Sequence, residues 1–482
     1  MALEEIRKVK IDKVKALREA GIDPYPTVSQ RTHSIKEVLN NFDILSDSKK
    51  EIVLAGRVMA KREQGGLIFF DINDGDKIQG LSKEDVLSDK FKLFQDFVDI
   101  GDFVEVKGAL FKTKRDEKTI EVKDWKILAK ALLPLPEKWH GLQDIEERLR
   151  KRYLDIIFNS DSKEIVEKRA VFWNAVREFH KKSGFLEVET PVLETTVGGA
   201  DATPFKTHHN ALDIDVYLRI SAGELWQKRL MVAGFNKTFE IGRIFRNEGM
   251  SAEHLQDYSQ CEAYWAYADY KDMYKFLQKC YRYVAKKTFG TLKFKIGDFD
   301  VDLGGKWPII DYAKEIKKQT GMNIWKATDE EIKNKLKELN IIYESENRPR
   351  LIDSLWKYCR KSIPGPAILV NEPKIVSPLA KTSSKDPNVT ERFHFIIAGS
   401  EVGQGYSELN DPLDQRERFE AQEKLREAGD KEAQMADYDF VEALEYGMPP
   451  TAGHGFSERL FSFLMNKPIR ETQIFPLMKP RD

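Results

Sequence analysis

Between residues 3 and 20 the apolar positions Leu3, Ile6, Val9, Val14 and Leu17 recur at roughly helical spacing among Lys, Arg and Glu, and Gly21 with Pro24 closes the segment. A surface helix with a basic bias is expected there. From Glu51 to about Leu133 the period shortens. The runs IVLAGRVMA, GLIFFDI, DKIQGL, FVEVKGALF and TIEVKDWKIL are rich in β-branched and aromatic residues, and turn signals such as NDGD and DIGD separate several of them. Five short strands follow from this pattern. They fit a small closed barrel, the oligonucleotide-binding type among the candidates, or a generic small β domain.

The prolines of ALLPLPEKWHGLQDIEERLRKRYLD mark a linker, after which longer helices alternate with longer strands. The spacing predicts helices near 161–182, 268–287, 311–321, 328–338, 350–362 and 413–428, with strands near 215–221, 236–246, 257–265, 392–399 and 401–408. Because the strands come in runs, a mostly antiparallel sheet flanked by helices is expected, an α+β architecture, in preference to a doubly wound parallel sheet. The organisation expected is a helical segment at 1–48, a β domain at 49–135, a linker at 136–160 and a large domain at 161–482.

Composition narrows the function classes. The chain has 482 residues, 41% hydrophobic and 33% charged, so it can bury a sizeable core in two or three domains. Lys+Arg 78 against Asp+Glu 79 leaves no whole-chain attraction to nucleic acid or membrane; any such surface is local. Cys261, Cys280 and Cys359 are far apart and lack CxxC spacing, which argues against a disulfide scaffold or a cysteine zinc site. The charged start and the lack of a long apolar run predict no signal peptide and no membrane span. A cytoplasmic location is the expectation. Neither GxGxxG nor GxxxxGK[ST] occurs, so neither standard glycine-loop nucleotide site is available.

Three clusters carry candidate chemistry. In the first, FEIGRIFRNEG leads through a polar loop with Glu253, His254 and Gln256 to CEAYWAY, a hairpin expected to set Arg246 and Glu262 on neighbouring strands. An arginine held there can grip phosphate or carboxylate, or can form a structural ion pair with Glu262 or Glu248. In the second, PPTAGHGFSER reads as a glycine-rich turn into a helix that starts near Arg459. In the third, EVGQGYSELND alternates, so that Gln404, Tyr406 and Glu408 share one strand face.

In this order and at these separations the clusters resemble the three signature motifs of class II aminoacyl-tRNA synthetases, in particular those of the lysyl-tRNA synthetase family. The likeness extends to the N-terminal helix EIRKVKIDKVKALREAGIDPYP, to KWHGLQDIEERLRKRYLD, to GFLEVETPVLETTVGGADATPF with its dimer-interface proline at Pro191, and to VSPLAK and SELNDPLDQRERF. It implies an OB-type anticodon-binding barrel and a catalytic domain active as a homodimer. It also implies ATP-dependent activation of L-lysine to lysyl-adenylate, transfer to the 3′ end of tRNA(Lys), and Mg²⁺ as cofactor.

Position by position, the resemblance implies that Arg246 holds the lysine carboxylate and the α-phosphate, and Arg459 the γ-phosphate. Glu248 and His254 would lie near the adenine and phosphates, with Tyr258 stacked on adenine. Gly199 and Glu224 would receive the α-ammonium, and Glu262, Tyr264, Gln404, Tyr406 and Glu408 would form the side-chain pocket. Glu401 would bind the metal. His394 stands where the family pattern has an acidic ligand. Phe69 and Gln79 would contact anticodon bases. Residues 220–224 run one longer than the family pattern and GHGFSER one shorter. Two other readings remain: an aspartyl- or asparaginyl-type enzyme, and a non-catalytic RNA-binding paralogue. The paired carboxylates Glu262 and Glu408 favour a cationic substrate over the first, and retention of Arg246 and Arg459 argues against the second.

Overall fold

A computed structural model describes residues 3–136, 142–200, 202–343, 346–427 and 434–481. Residues 137–141 of the expected linker lie outside the described residues. The chain divides into two compact units, Met1–Ile145 and Glu146–Asp482.

In the first unit α1 (Leu3–Glu19) buries Val14 and Leu17, as its spacing predicts. Strands β1 (Ile52–Gln64), β2 (Leu67–Asn73), β3 (Lys77–Lys83), β4 (Phe103–Lys112) and β5 (Lys118–Ala129) close into a barrel of order β1-β2-β3-β5-β4. Alternation decides which side chains fill it. Ile68, Phe70 and Ile72 of β2 are buried, while Leu67, Phe69 and Asp71 lie on the outer face. Between β3 and β4 the chain inserts α2 (Asp89–Phe97), absent from the strand pattern; its Phe94 ring sits 4.9 Å from Phe70 and 5.1 Å from Trp125. Gln79 of β3 pairs with Asp71, one step along the outer face from Phe69, and accepts a hydrogen bond from the Thr119 hydroxyl at 3.1 Å.

The second unit is built on an eight-stranded sheet. Its strands are β6 (Leu186–Glu187), β7 (Lys237–Phe245), β8 (Asp257–Ala266), β9 (Ile309–Asp311), β10 (Ala367–Val370), β11 (Arg392–Ile397), β12 (Ser400–Ser407) and β13 (Thr451–Ser457), in the order β9-β10-β11-β12-β13-β8-β7-β6. Only the outermost pairs, β9 with β10 and β7 with β6, are parallel; the other neighbours are antiparallel. Helices α3 (Ser160–Lys182) and α5 (Tyr270–Phe289), with α4 (Glu224–Val232) between them in sequence, include the longest elements of this unit. Phe172 and Val176 of α3 and Leu277, Cys280 and Tyr281 of α5 pack on Phe239, Cys261, Ala263, Phe395 and Phe456 of the sheet. All three cysteines are buried and free. Residues 312–320, 329–338 and α6 (Arg348–Arg360) gather a separate core around Tyr312, Leu336, Leu355 and Trp356.

One expectation is corrected here. Residues 451–457 form not a turn but β13, paired with β8 on one side and β12 on the other. Glycine is depleted in strands, which hides this one from a propensity reading. Its alternation is nevertheless strict: Ala452, His454 and Phe456 are buried among the helices' core residues, and Gly453, Gly455 and Ser457 face the other way.

Candidate functional site

The sheet face opposite α3 and α5 carries a cleft of about 220 Å³. Strand β8 supplies its wall through period-two alternation: Tyr258, Gln260, Glu262 and Tyr264 line the cleft while Cys261 and Ala263 enter the core. Strand β12 supplies Gln404 and Tyr406, followed by Glu408. Strict alternation back from Gln404 would turn Glu401 into the core. A bulge prevents this. The β11–β12 register passes from Phe395↔Gly403 to Ile396↔Glu401, so Val402 is the extra residue and Glu401 swings onto the cleft side.

Gly453 and Gly455 form the floor. A Cβ at Gly453 would collide with Glu408 Oε1 and the Tyr264 ring, whereas one at Gly455 would lie 3.4 Å from Glu262 Cγ. Directly after β13, Arg459 opens the short helix α7 (Arg459–Leu464). Its Nη1 donates to the Glu401 carbonyl at 3.0 Å and its Nε to the Glu253 carbonyl at 3.2 Å, which aims the guanidinium along the cleft. Arg246 follows β7, and its guanidinium donates to the Ile220 carbonyl at 3.2 and 3.3 Å and stands 6.0 Å from the Tyr258 ring. Among the described residues it forms no ion pair with Glu262 or Glu248, so the structural-pair reading does not apply. Both arginines line the cleft.

At the far end three glutamates converge. Glu224 is the first residue of α4, entered through Gly223 in the left-handed region at φ 75°, where a side chain would meet Thr190. Residues 220–224 form this entry: the Ile220 carbonyl receives Arg246, the Ala222 amide donates to Glu262 Oε1 at 2.8 Å, and Glu224 reaches the cleft beside Gly199. Tyr406 donates its hydroxyl to Glu224 Oε1. Burial first, and then the charge of Glu224, push the Glu262 carboxyl up to about 7. Burial and Glu224 raise Glu408 to about 8, against the pull of Lys228.

Lys228 was not among the sequence candidates. One helical turn after Glu224, it is 1% exposed, and its Nζ lies 2.8 Å from Glu224 Oε1 and 2.6 Å from Glu408 Oε2. Burial alone would lower its pKa; the two carboxylates outweigh burial and hold it above the ordinary value. The i, i+4 spacing in ELWQKRL was the available signal, but such pairs are ordinary on helix surfaces.

His394 lines the cleft beside Glu401. Its Nε2 lies 2.9 Å from Glu372 Oε2 and its Nδ1 3.5 Å from Glu401 Oε2, and Glu372 is a second residue the sequence reading missed. Glu401 Oε1 accepts from Trp356 Nε1 at 2.6 Å. Burial would raise the Glu401 carboxyl, but His394, Arg360, Trp356 and Arg392 bring it down to about 2. Among the described residues no three His, Cys, Asp or Glu side chains come together so as to hold a metal ion. The Glu401 carboxylate is a hard oxygen donor of the kind that fits Mg²⁺.

Glu248 and His254 sit off the cleft lining. Glu248 accepts from the Thr203 amide at 3.3 Å, and His254 Nδ1 lies 2.8 Å from the Ser251 hydroxyl. Phe69 and Gln79 belong to the first unit, on the outer barrel face described above. No helix among the described residues is long and apolar enough to cross a membrane.

Residues 144–479 match the family of tRNA synthetases class II (D, K and N), and residues 52–128 match the OB-fold nucleic acid binding domain. Among curated relatives, the Lysine–tRNA ligase of Thermosipho africanus is 43% identical over 486 residues, covering 99% of this chain and 97% of the relative. That of Thermotoga maritima is 43% identical with the same coverage of both chains, and that of Bacillus subtilis is 41% identical over 99% of this chain and 98% of its own length.

Proposed function

The chain belongs to the class II tRNA synthetases of the aspartate, lysine and asparagine group, and from that premise we propose that it is a lysine–tRNA ligase working through the residues of this cleft. L-Lysine enters with its side chain toward Glu408 and Tyr264, its α-ammonium toward Glu224 and Gly199, and its carboxylate toward Arg246. A lysine carboxylate oxygen attacks the α-phosphorus of ATP, the bond to the β-phosphate oxygen breaks, and lysyl-adenylate and pyrophosphate form. The terminal adenosine hydroxyl of tRNA(Lys) then attacks the carbonyl carbon and AMP leaves.

No protein group becomes covalent in this scheme, so positioning and charge neutralisation do the catalytic work. Arg246 opposes the charge that gathers on the α-phosphate, and Arg459 holds the γ-phosphate. Tyr258 offers a ring for the adenine. Glu248 and His254 shape the loop at the nucleotide end. Gln404 and Tyr406 border the lysine side chain. Glu401 would hold a magnesium ion, which when bound would screen the phosphate charge. Phe69 and Gln79 receive anticodon bases on the barrel face by stacking and hydrogen bonding. The working form is a homodimer in the cytoplasm, where tRNA and ATP are available.

A single observation carries the choice of amino acid: Glu224, Glu262 and Glu408 converge on one end of the cleft. Three carboxylates outnumber the single Lys228 ammonium there, so an aspartate side chain is disfavoured, and a buried ammonium needs a carboxylate partner. Pyrophosphate exchange with lysine, ornithine, arginine and aspartate tests the reading. Lysine should be activated and aspartate not, and Glu408→Gln should raise KM for lysine by about 30-fold or more, the cost of breaking one buried charge pair. Comparable activation of aspartate, or an indifferent Glu408→Gln variant, sinks it.

A further inference from the structure

Two carboxylates of the cleft are each divided between an internal partner and the cleft itself. Lys228 Nζ lies 2.8 Å from Glu224 Oε1 and 2.6 Å from Glu408 Oε2. The remaining oxygens point elsewhere. Glu224 Oε2 faces Gly199, where an added Cβ would lie 3.1 Å away, and Glu408 Oε1 faces Gly453; both glycines line the cleft. The ammonium is ringed by Tyr264, Tyr406 and Phe440 at 5.9, 5.4 and 5.8 Å and is closed to solvent. It therefore cannot touch nucleotide or RNA, and acts only through the two glutamates.

We infer that Lys228 is a specificity-determining positioning residue: it bridges Glu224 and Glu408 through one oxygen each, presents their other oxygens to the amino acid, and sets the net charge that the cleft accepts. With the site filled, the ionised groups around the amino acid are Glu224, Glu262, Glu408, Lys228 and Arg246, three negative and two positive; Arg392, which donates to Gln404 Oε1 and stands 5.7 Å from the Tyr406 ring, is balanced by Glu372 at 3.2 Å. Tyr264 and Tyr406 face the same space and stay neutral, since burial holds both phenols well above their ordinary range. The cleft thus carries one net negative charge, and an amino acid with one net positive charge balances it. Without the Lys228 ammonium the cleft carries two, which favours a dication over lysine. The bridge also fixes where each oxygen points, since two carboxylates this close would otherwise repel each other.

This inference rests on the lysine reading, and the experiment separates the two. Equilibrium binding of L-lysine and of lysinamide, which has two ammonium groups and no carboxylate, is measured for the wild type, Lys228→Met and Lys228→Arg, with thermal melts alongside. If wild-type protein neither binds lysine nor shows lysine-dependent exchange, the function reading fails and takes this inference with it. If wild type binds lysine, folded Lys228→Met should shift the lysine-to-lysinamide preference toward lysinamide by about tenfold or more, since one charge changes at close range in a buried site. A loss of affinity for both ligands with their ratio unchanged marks a merely structural role and overturns the inference. Where Lys228→Met does not fold, Lys228→Arg decides. It retains the charge and should keep the ratio within about threefold of wild type while lowering kcat, because its planar fork aims the carboxylates differently. A move toward lysinamide in that charge-conserving variant also overturns it.

Discussion

The Nε2 of His394 lies 2.9 Å from a carboxylate oxygen of Glu372, while its Nδ1 lies 3.5 Å from one of Glu401. A single imidazole thus stands between two carboxylates in the lining of the cleft. Replacing it with a third carboxylate, His394→Glu, should create a hard oxygen site beside Glu401 and lower the half-saturating Mg²⁺ concentration in pyrophosphate exchange by about threefold or more. His394→Gln, which adds no charge, should leave that titration within about twofold of wild type. Identical curves for both variants would place position 394 outside any metal's reach.

Arg246 and Arg459 are held by backbone carbonyls, not by carboxylates, in their closest contacts. Truncating either should therefore leave the fold intact and remove charge neutralisation at the phosphates. Arg246→Ala is expected to cut exchange about 100- to 1000-fold, and Arg459→Ala somewhat less, with melting temperatures close to wild type. Exchange within about tenfold of wild type for Arg246→Ala would refute its role.

The floor of the cleft offers a steric test. Gly453→Ala drives a methyl group into Glu408 and Tyr264, where Gly455→Ala meets Glu262 at 3.4 Å, an ordinary contact. The first should raise KM for lysine more than about tenfold with little change for ATP, at a cost of a kcal/mol or more in pocket geometry. The second should stay within a few-fold. Equal effects would mean that the lysine side chain does not reach Gly453.

Glu262 and Glu408 are raised to about 7 and about 8 in the empty cleft, by burial above all. An incoming ammonium favours their ionised forms, so binding must release protons. The sign follows: a carboxyl with a raised pKa is protonated below that value, and lysine binding strengthens as pH rises from about 6 to about 8. KM for lysine should fall over this window while KM for ATP changes little. The unliganded fold should lose stability over the same window, since the folded state binds more protons than the unfolded chain. A KM for lysine that is flat with pH would exclude proton release from these two groups.

Phe69 lies on the outer face of β2, one step diagonally from Gln79 on β3. Phe69→Ala removes a stacking surface worth about 1–3 kcal/mol per base. Aminoacylation of tRNA should weaken correspondingly while tRNA-independent exchange is unchanged. Equal damage to both reactions would indicate lost folding, not lost recognition.

Local pattern made much of this protein legible. Period-two alternation in EVGQGYSELND put Gln404, Tyr406 and Glu408 on one face, and five β-rich runs announced five strands while leaving a closed barrel and a generic β domain both open, because burial of alternate side chains is a property of neighbouring residues whereas closure is not. What pattern could not decide depends on contacts between distant segments. The Gly-His-Gly run is a strand because β8 and β12 pair with it on both sides. Glu401 faces the cleft because the bulge at Val402 changes the phase of β12, and a bulge is visible only against the partner strand. Tyr406 reaches Glu224 across 182 residues, and Lys228 joins the same cluster through Glu408. In sequence Glu224 and Lys228 make an ordinary helical pair. Only the packing of Tyr264, Tyr406 and Phe440 around them turns that pair into a buried charge bridge, because burial makes their charges count.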